Sequence, residues 1–395
     1  MQKKVMFVGA GDYQKKGIEK AKEMGLLVIA TDGNPDAPGL KIADFAYAVD
    51  VKNFEKNLEI ARKNTIDGIL TIASEVSVRT VAYICQELKL PGITVEVADR
   101  CTDKELMRKV FREANIPVPV SYPVFNLQEL IQKAEEIGFP IVIKPADSAG
   151  SRGVKRVENI NELEDAFFSA MSYSGKKKIL VEAFMEGKES SVEAFVCNDK
   201  INILSLSDKV RTDPPYLLDT TVIFPSAYPL EIQQNIIEIA KKAINAAGIK
   251  IGAVHLEIMM TSSGPIPVEI AARGAGFKVY TDILPNVTGI DILKATIQCA
   301  LGEPVDLSET KAMASVLKFI EAKPGKIKKI INLDKAKEVP GIYEIEIYKK
   351  PGEIIRPLQS GDDRIGHIIS FSNSRSGAIN NIKNVENILE IIVEE

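Results

Sequence analysis

Lys144 closes an apolar run, Pro140-Ile141-Val142-Ile143-Lys144-Pro145, and a loop of small residues follows at once: Ala146-Asp147-Ser148-Ala149-Gly150-Ser151-Arg152-Gly153-Val154. Gly150 and Gly153 let a backbone come close to a ligand, and successive N–H groups can cradle phosphate oxygens. Ser148 and Ser151 lie inside that loop, and Arg152 adds positive charge. A tight turn beside a solvated lysine fits the segment equally well.

Farther on, Ile179-Leu180-Val181-Glu182-Ala183-Phe184-Met185 carries a carboxylate at the end of an apolar run. An adenine needs an apolar slot and groups that pair with its edge. Glu182 can accept from the exocyclic amine, and the backbone of Ala183, Phe184 and Met185 can supply the rest. Taken alone, a surface glutamate at a strand end is the commoner arrangement. A third segment is more specific. His255-Leu256-Glu257-Ile258-Met259 and Pro267-Val268-Glu269-Ile270-Ala271-Ala272-Arg273 flank a turn at Ser262-Ser263-Gly264-Pro265, so Glu257 and Glu269 sit in apolar strands of one hairpin. Two buried carboxylates close together are costly unless a cation is shared. Hard oxygen ligands with open positions for phosphates describe Mg²⁺ at a nucleotide site, with Mn²⁺ as a substitute. Arg273, four residues beyond Glu269, could meet a γ-phosphate or a developing oxyanion. Alternating strands with solvent-facing glutamates are the alternative.

These groups need elements to position them. Short apolar runs at Val5–Val8, Leu26–Ala30 and Gly68–Ile72 alternate with helical patterns at 16–24, 54–63 and 76–88. That alternation predicts a parallel sheet covered on both faces over residues 1–100. Its strand ends, where ligands bind such sheets, are Gly9–Gly11, Asp32–Asn34 and Ser74–Glu75. Asp103 can N-cap the next helix, which stops before Pro117 and Pro119. Arg211 to Pro229, rich in Pro, Thr and Asp, reads as a long loop, and Glu231 to Ala247 as an amphipathic helix. Past residue 303, short strands and Gly/Pro turns suggest a small α+β end domain.

The chain has 395 residues, which predicts two or three domains. Fifty Lys+Arg against 54 Asp+Glu give a net charge of −4, without the basic excess of a nucleic-acid binder. No apolar run approaches the roughly 20 residues that span a bilayer. Cys85, Cys101, Cys197 and Cys299 are scattered, which predicts reduced thiols and a cytoplasmic protein. Two histidines exclude a His-rich metal site.

In order and spacing, Lys104 after Asp103, Lys144 before its loop, Val181-Glu182-Ala183-Phe184, Glu257 and Glu269-to-Arg273 resemble the ATP-grasp superfamily. The resemblance covers the whole chain in layout and residues 103–302 in motifs. It implies an α/β and α+β architecture: an N-terminal open parallel-sheet (pre-ATP-grasp) domain over 1–100, an ATP-grasp core over 101–302 with a mobile lid at about 124–187, and a small C-terminal α+β domain over 303–395. It further implies ATP as cosubstrate, with Lys104 and Lys144 on its phosphates, Glu182 and residues 183–185 at adenine, and Glu189 near the ribose or lid. Glu257 and Glu269 would hold Mg²⁺, Arg273 would be the catalytic arginine, and a homodimer would be a common assembly. Many members have Asn two residues after the second metal glutamate, where this chain has Ala271. Ser207-Asp208-Lys209, Thr212-Asp213-Pro214-Pro215-Tyr216 and His255-Leu256-Glu257 look like the L-amino acid ligase and carboxylate–amine ligase group. That group often has Gly-His at the positions of Thr221-Val222. Lys209, His255, Glu75 and Gly274 are the substrate-side candidates, and His255 fits a structural role equally well.

The implied activity joins a carboxylate to an amine through an acyl phosphate, on small molecules, away from nucleic acid and membrane. A purine-pathway ligase such as phosphoribosylamine–glycine ligase is the neighbouring alternative, and a non-catalytic nucleotide-binding protein is another. An NAD-dependent dehydrogenase is a further rival, because Gly9-Ala10-Gly11 follows a strand and Asp32 stands where a ribose-binding acid would. Its fingerprint, however, needs a small residue where this chain has Gln14.

Overall fold

The structure is a computed structural model that describes residues 2–310 and 312–394. The first hundred residues build β1 (Lys4–Val8), α1 (Asp12–Glu23), β2 (Leu27–Asp32), β3 (Phe45–Ala48), α2 (Phe54–Asn64), β4 (Gly68–Leu70), α3 (Val78–Leu88) and α4 (Val95–Thr102). The four strands form a parallel sheet in the order β3-β2-β1-β4. Val5 to Val8 are fully buried, as expected for a strand with helices on both faces. β3 and α4 were not foreseen, because Phe45–Ala48 is short and α4 has no periodic run long enough to stand out.

Asp103 does cap α5 (Lys104–Glu113), accepting from the amides of Glu105 and Leu106. A separate layer follows: β5 (Ser121–Val124), α6 (Leu127–Ile137), β6 (Ile141–Pro145), β7 (Lys155–Val157), α7 (Leu163–Tyr173) and β8 (Ile179–Ala183). Its sheet, β5-β8-β6-β7, packs on α6 and α7 around a core of its own, with Leu130, Ile143, Phe167 and Val181 inside. Residues 124–187, for which a mobile lid is expected, fall largely within this layer.

The central sheet comes from β9 (Lys188–Cys197), β10 (Lys200–Arg211), β11 (Asp219–Phe224), β12 (Gly252–Thr261) and β13 (Gly264–Ala271). α8 (Leu230–Ala247) buries Ile236, Ala240 and Ile244 against it. The segment read as a loop between Arg211 and Pro229 contains β11: its Thr220, Val222 and Phe224 alternate inward, and proline flanks rather than interrupts the strand. α9 (Leu284–Thr288) and α10 (Ile292–Ala300) pack the N-terminal domain onto this core, with Phe7 and Ile72 sharing one cluster with Ile297 and Leu301.

The last hundred residues supply β14 (Ala314–Phe319), β15 (Gly325–Ile331), α11 (Leu333–Lys337), β16 (Ile342–Ile347), β17 (Ile354–Ile355), β18 (Gly366–Ser372), α12 (Arg375–Glu386) and β19 (Glu390–Val393). β14, β18 and β16 pair in sequence beyond β11, so eight strands run as β13-β12-β9-β10-β11-β14-β18-β16. The division expected after residue 302 falls between α10 and β14, and the sheet continues across it. Among the described residues no helix is long and apolar enough to cross a membrane.

Candidate active site

The hairpin β12–β13 places Glu257 directly opposite Glu269 in the ladder. Both side chains reach one surface of the central sheet. Two spaces meet there. One is a slot of about 100 Å³ between the β5-β8-β6-β7 sheet and the central sheet, with Lys104, Lys144, Glu182, Phe184, Met185 and Val268 among its walls. The other is a cleft of about 480 Å³ that reaches Tyr13 and Glu75 of the N-terminal domain and Phe319 and Arg364 of the C-terminal strands. Ser151, Asp219, Glu257 and Glu269 line both.

The loop after Lys144 has the geometry that a phosphate cradle needs. Gly150, Ser151 and Gly153 all have positive φ, at 70°, 56° and 71°. A Cβ at Gly153 would also lie 3.1 Å from the Ala170 backbone, so only glycine fits there. Among the described residues, the amides of Ser148 to Gly153 donate to no backbone carbonyl. Lys104 Nζ donates to the Ser148 carbonyl at 2.7 Å and pairs with Glu269 at 3.1 Å, tying the loop to the hairpin.

Glu182 sits otherwise than its proposed adenine contact requires. It is 2% exposed. Arg108 Nε lies 2.8 Å from one of its oxygens, Lys144 Nζ 2.5 Å from the other, and Ser121 donates at 3.0 Å. Burial works to raise this carboxyl, yet Arg108 and Lys144 together hold it well below the usual carboxylate range. Burial pushes the Lys144 ammonium down to about 8 against the pull of Glu182. Ala183, Phe184 and Met185 line the slot, with the Arg156 guanidinium 4.1 Å over the Phe184 ring.

Arg108 was missed at the sequence level. It is 1% exposed, and it also donates to the Val268 carbonyl at 2.9 Å. It therefore joins α5 to β8 and to β13. The cue was faint: Lys104 and Arg108, at i and i+4, share a face with Met107 and Phe111.

Lys209, Glu189 and Asp219 form the other cluster. Lys209 Nζ lies 2.6 Å from Glu257, 2.8 Å from Glu189 and 3.0 Å from Asp219. Burial disfavours its charge, but Asp219, Glu189 and Glu257 outweigh burial and hold it well above the usual lysine range. Carboxylate oxygens of Glu189, Asp219 and Glu257 lie within 4.8 Å of one another. Asp219 was absent from the sequence-level candidates; Glu269 is not part of this group, and the Lys209 ammonium faces all three of its carboxylates. This donor set suits Mg²⁺: all-oxygen, anionic, and open on the side of the slot.

Toward the cleft, His255 Nδ1 pairs with Glu193 at 2.6 Å, and its Nε2 lies 3.8 Å from Glu257. Burial opposes its charged form, but Glu193 and Glu257 raise it to about 9. Arg273 Nε donates to Glu75 at 2.6 Å, a contact between the core and the N-terminal domain. Gly274 lies behind this wall, and a Cβ there would fall 2.0 Å from the Tyr280 ring.

The glycine turn of β1 does not match a dinucleotide site. Gln14 is 7% exposed, folds into the turn and donates to the Ile72 carbonyl. Asp32 accepts from the Ala10 amide at 2.8 Å, bracing the turn from below.

Comparison with known proteins agrees with this geometry. Residues 137–282 match the ATP-grasp domain family, and residues 318–394 match L-amino acid ligase C-terminal domain 2. The uncharacterized protein y4rH of Sinorhizobium fredii is 28% identical over 316 residues, covering 78% of this chain and 65% of that protein. The chain thus spans just under two thirds of that relative. The formate-dependent phosphoribosylglycinamide formyltransferase of Saccharolobus solfataricus is 24% identical over 401 residues, covering 98% of this chain and 96% of that one. The crystal structure of an L-amino acid ligase from Bacillus licheniformis superposes with a TM-score of 0.86 at 22% identity, covering 100% of this chain and 99% of that one. The chain therefore carries an ATP-grasp domain over residues 137–282 and an L-amino acid ligase C-terminal domain over residues 318–394.

Proposed function

We propose that this chain is an ATP-dependent carboxylate–amine ligase that releases ADP and phosphate. The observation that carries the reading is the facing pair Glu257 and Glu269, set where a slot between two sheets opens into a larger cleft. In this reading the adenine lies along Ala183 to Met185, and the phosphates run past Lys144 and Lys104 into the amides of residues 148–153. Glu182 then acts through Lys144, holding it in the slot. Mg²⁺ held by Glu257 and Glu269, with Asp219 alongside, would neutralise phosphate charge.

A carboxylate oxygen attacks the γ-phosphorus in line, and the bond to ADP breaks. The amine then attacks the acyl carbon, phosphate leaves with the C–O bond pair, and the phosphate takes up the amine proton. Arg273, oriented by Glu75, faces the oxyanion of that second step. The layer 124–187 closes over the slot and keeps water from the acyl phosphate. His255, held charged by Glu193, positions Glu257 and is no base at neutral pH. A purine-pathway ligase is the weaker reading: a ribose phosphate calls for several free cations, and most cations of the cleft already face carboxylates.

ADP release measured over a matrix of amino acids, taken in pairs, tests the proposal. Release that needs both partners supports it. ADP release that no pair stimulates, from protein that binds ATP, would remove it.

A further inference from the structure

Five cationic side chains line the cleft: Arg152, Lys209, His255, Arg273 and Arg364. Four of them have carboxylate partners, Asp362, Glu257, Glu193 and Glu75 respectively. Among the described residues Arg364 has none within ion-pair distance. Its Nη2 donates to the Asp219 backbone oxygen at 2.8 Å, while the Asp219 carboxylate turns to Lys209. Its Nε is buried without a hydrogen-bond partner. The guanidinium carbon lies 3.4 Å from the Phe319 ring centroid and 5.5 Å from that of Phe277. Stacking between aromatic rings fixes the plane of the fork and leaves its edge to donate. A fixed, half-buried guanidinium with a buried, unpartnered Nε and no counter-ion is costly unless an anion completes it.

The chemistry of that anion follows from its surroundings. One planar fork matches one carboxylate in a bidentate pair. The other four cations of the cleft already face carboxylates, which leaves a phosphate dianion there without balance. Asp219 fixes the location: through its backbone it touches Arg364, and through its side chain it touches the Lys209–Glu257 cluster. Arg364 is therefore separated from the metal-side carboxylates by one residue's length, which suits a second functional group on a small substrate.

Resting on the ligase reading, we propose that Arg364 recognises a substrate carboxylate other than the one being activated, carried either by the amine, as in an amino acid, or by the acid, as in a dicarboxylate.

Thermal-shift titration of the full chain with MgADP tests this without turnover. The probes are the common amino acids, their α-amides, succinate and glutarate. The expected result is that at least one acid binds about tenfold or more tighter than its amide, the size of one charge-assisted bond. Arg364→Gln should remove that preference, and Arg364→Lys should keep part of it. An unchanged preference in both variants overturns the proposal, as does wild-type protein that binds no acid of the panel or binds acid and amide alike. Preferential binding of a phosphate-bearing amine, lost in Arg364→Gln, also overturns it. Hydroxylamine trapping assigns the source: a deficit in coupled product alone puts the carboxylate on the amine, and a deficit in hydroxamate puts it on the activated acid. Failure of wild-type protein to turn over ATP with any pair counts against the ligase reading and leaves this binding result standing by itself.

Discussion

The ammonium of Lys209 lies 2.6 Å from the carboxylate of Glu257, at the junction of the nucleotide slot and the cleft. Glu189 and Asp219 face the same ammonium. One ammonium thus faces three carboxylates, of which Glu189 is buried and Asp219 and Glu257 half-buried, and the cluster is held together before any metal enters. Lys209→Met leaves Glu189 to Arg211, Glu257 to His255 and Asp219 with no other ion-pair partner among the described residues, and should destabilise the fold by about 1–3 kcal/mol. Thermal denaturation checks this. Added Mg²⁺ should restore part of the lost melting temperature in the variant, and an unchanged melting temperature without Mg²⁺ would contradict the assignment.

Arg108 and Lys144 share Glu182 but should not be equivalent. Arg108 makes two contacts to the carboxylate and one to the Val268 backbone. Arg108→Met should therefore cost about 3–5 kcal/mol of stability. Lys144→Met leaves Glu182 paired with Arg108 and should cost ~1 kcal/mol, while raising KM for ATP by about tenfold or more. Chemical denaturation of the two variants, side by side, decides between this order and its reverse.

Lys144 also predicts a pH dependence. Burial holds its folded pKa at about 8, below the ordinary lysine value of 10.5. Phosphate pairing needs the charged form, so KM for ATP should rise as pH increases through about 8. Lys144→Arg should flatten that rise. For stability the sign is opposite: between these two values the unfolded chain binds more protons, so the Lys144 contribution to stability grows with pH. A KM for ATP that stays level from pH 7 to 9.5 would contradict this role.

Glu269 and Arg273 divide binding from chemistry. Glu269→Gln removes a hard oxygen ligand and should lower kcat at least about a hundredfold, some 2.7 kcal/mol of barrier. Arg273→Ala should lower kcat by a similar factor with little change in ATP affinity, since Arg273 faces the cleft and is absent from the slot. Steady-state kinetics and nucleotide binding by calorimetry separate the two.

The sequence carried the elements and the order of the site well, because apolar runs, caps and turns are local signals. Asp103, the loop at 146–154 and the hairpin around Glu257 and Glu269 could all be located from neighbours a few positions away. The pairings could not. Nothing near Glu182 indicates Arg108, 74 residues upstream, and nothing near Arg273 indicates Glu75. β11 was hidden by its proline-rich flanks, and Asp219 with it. Arg364 lies just before β18, in a segment that joins the central sheet through long-range pairing of β18 with β14 and of β14 with β11, which no local period reports.

The central claim is acyl-phosphate chemistry, and hydroxylamine trapping tests it most directly. The protein is incubated with MgATP, hydroxylamine and a panel of amino acids and other carboxylates, and hydroxamate and ADP are quantified together. The ligase reading predicts hydroxamate from at least one acid, in equal amount to ADP and lost in Glu269→Gln. ATP binding without hydroxamate from any acid, or AMP in place of ADP, would contradict it.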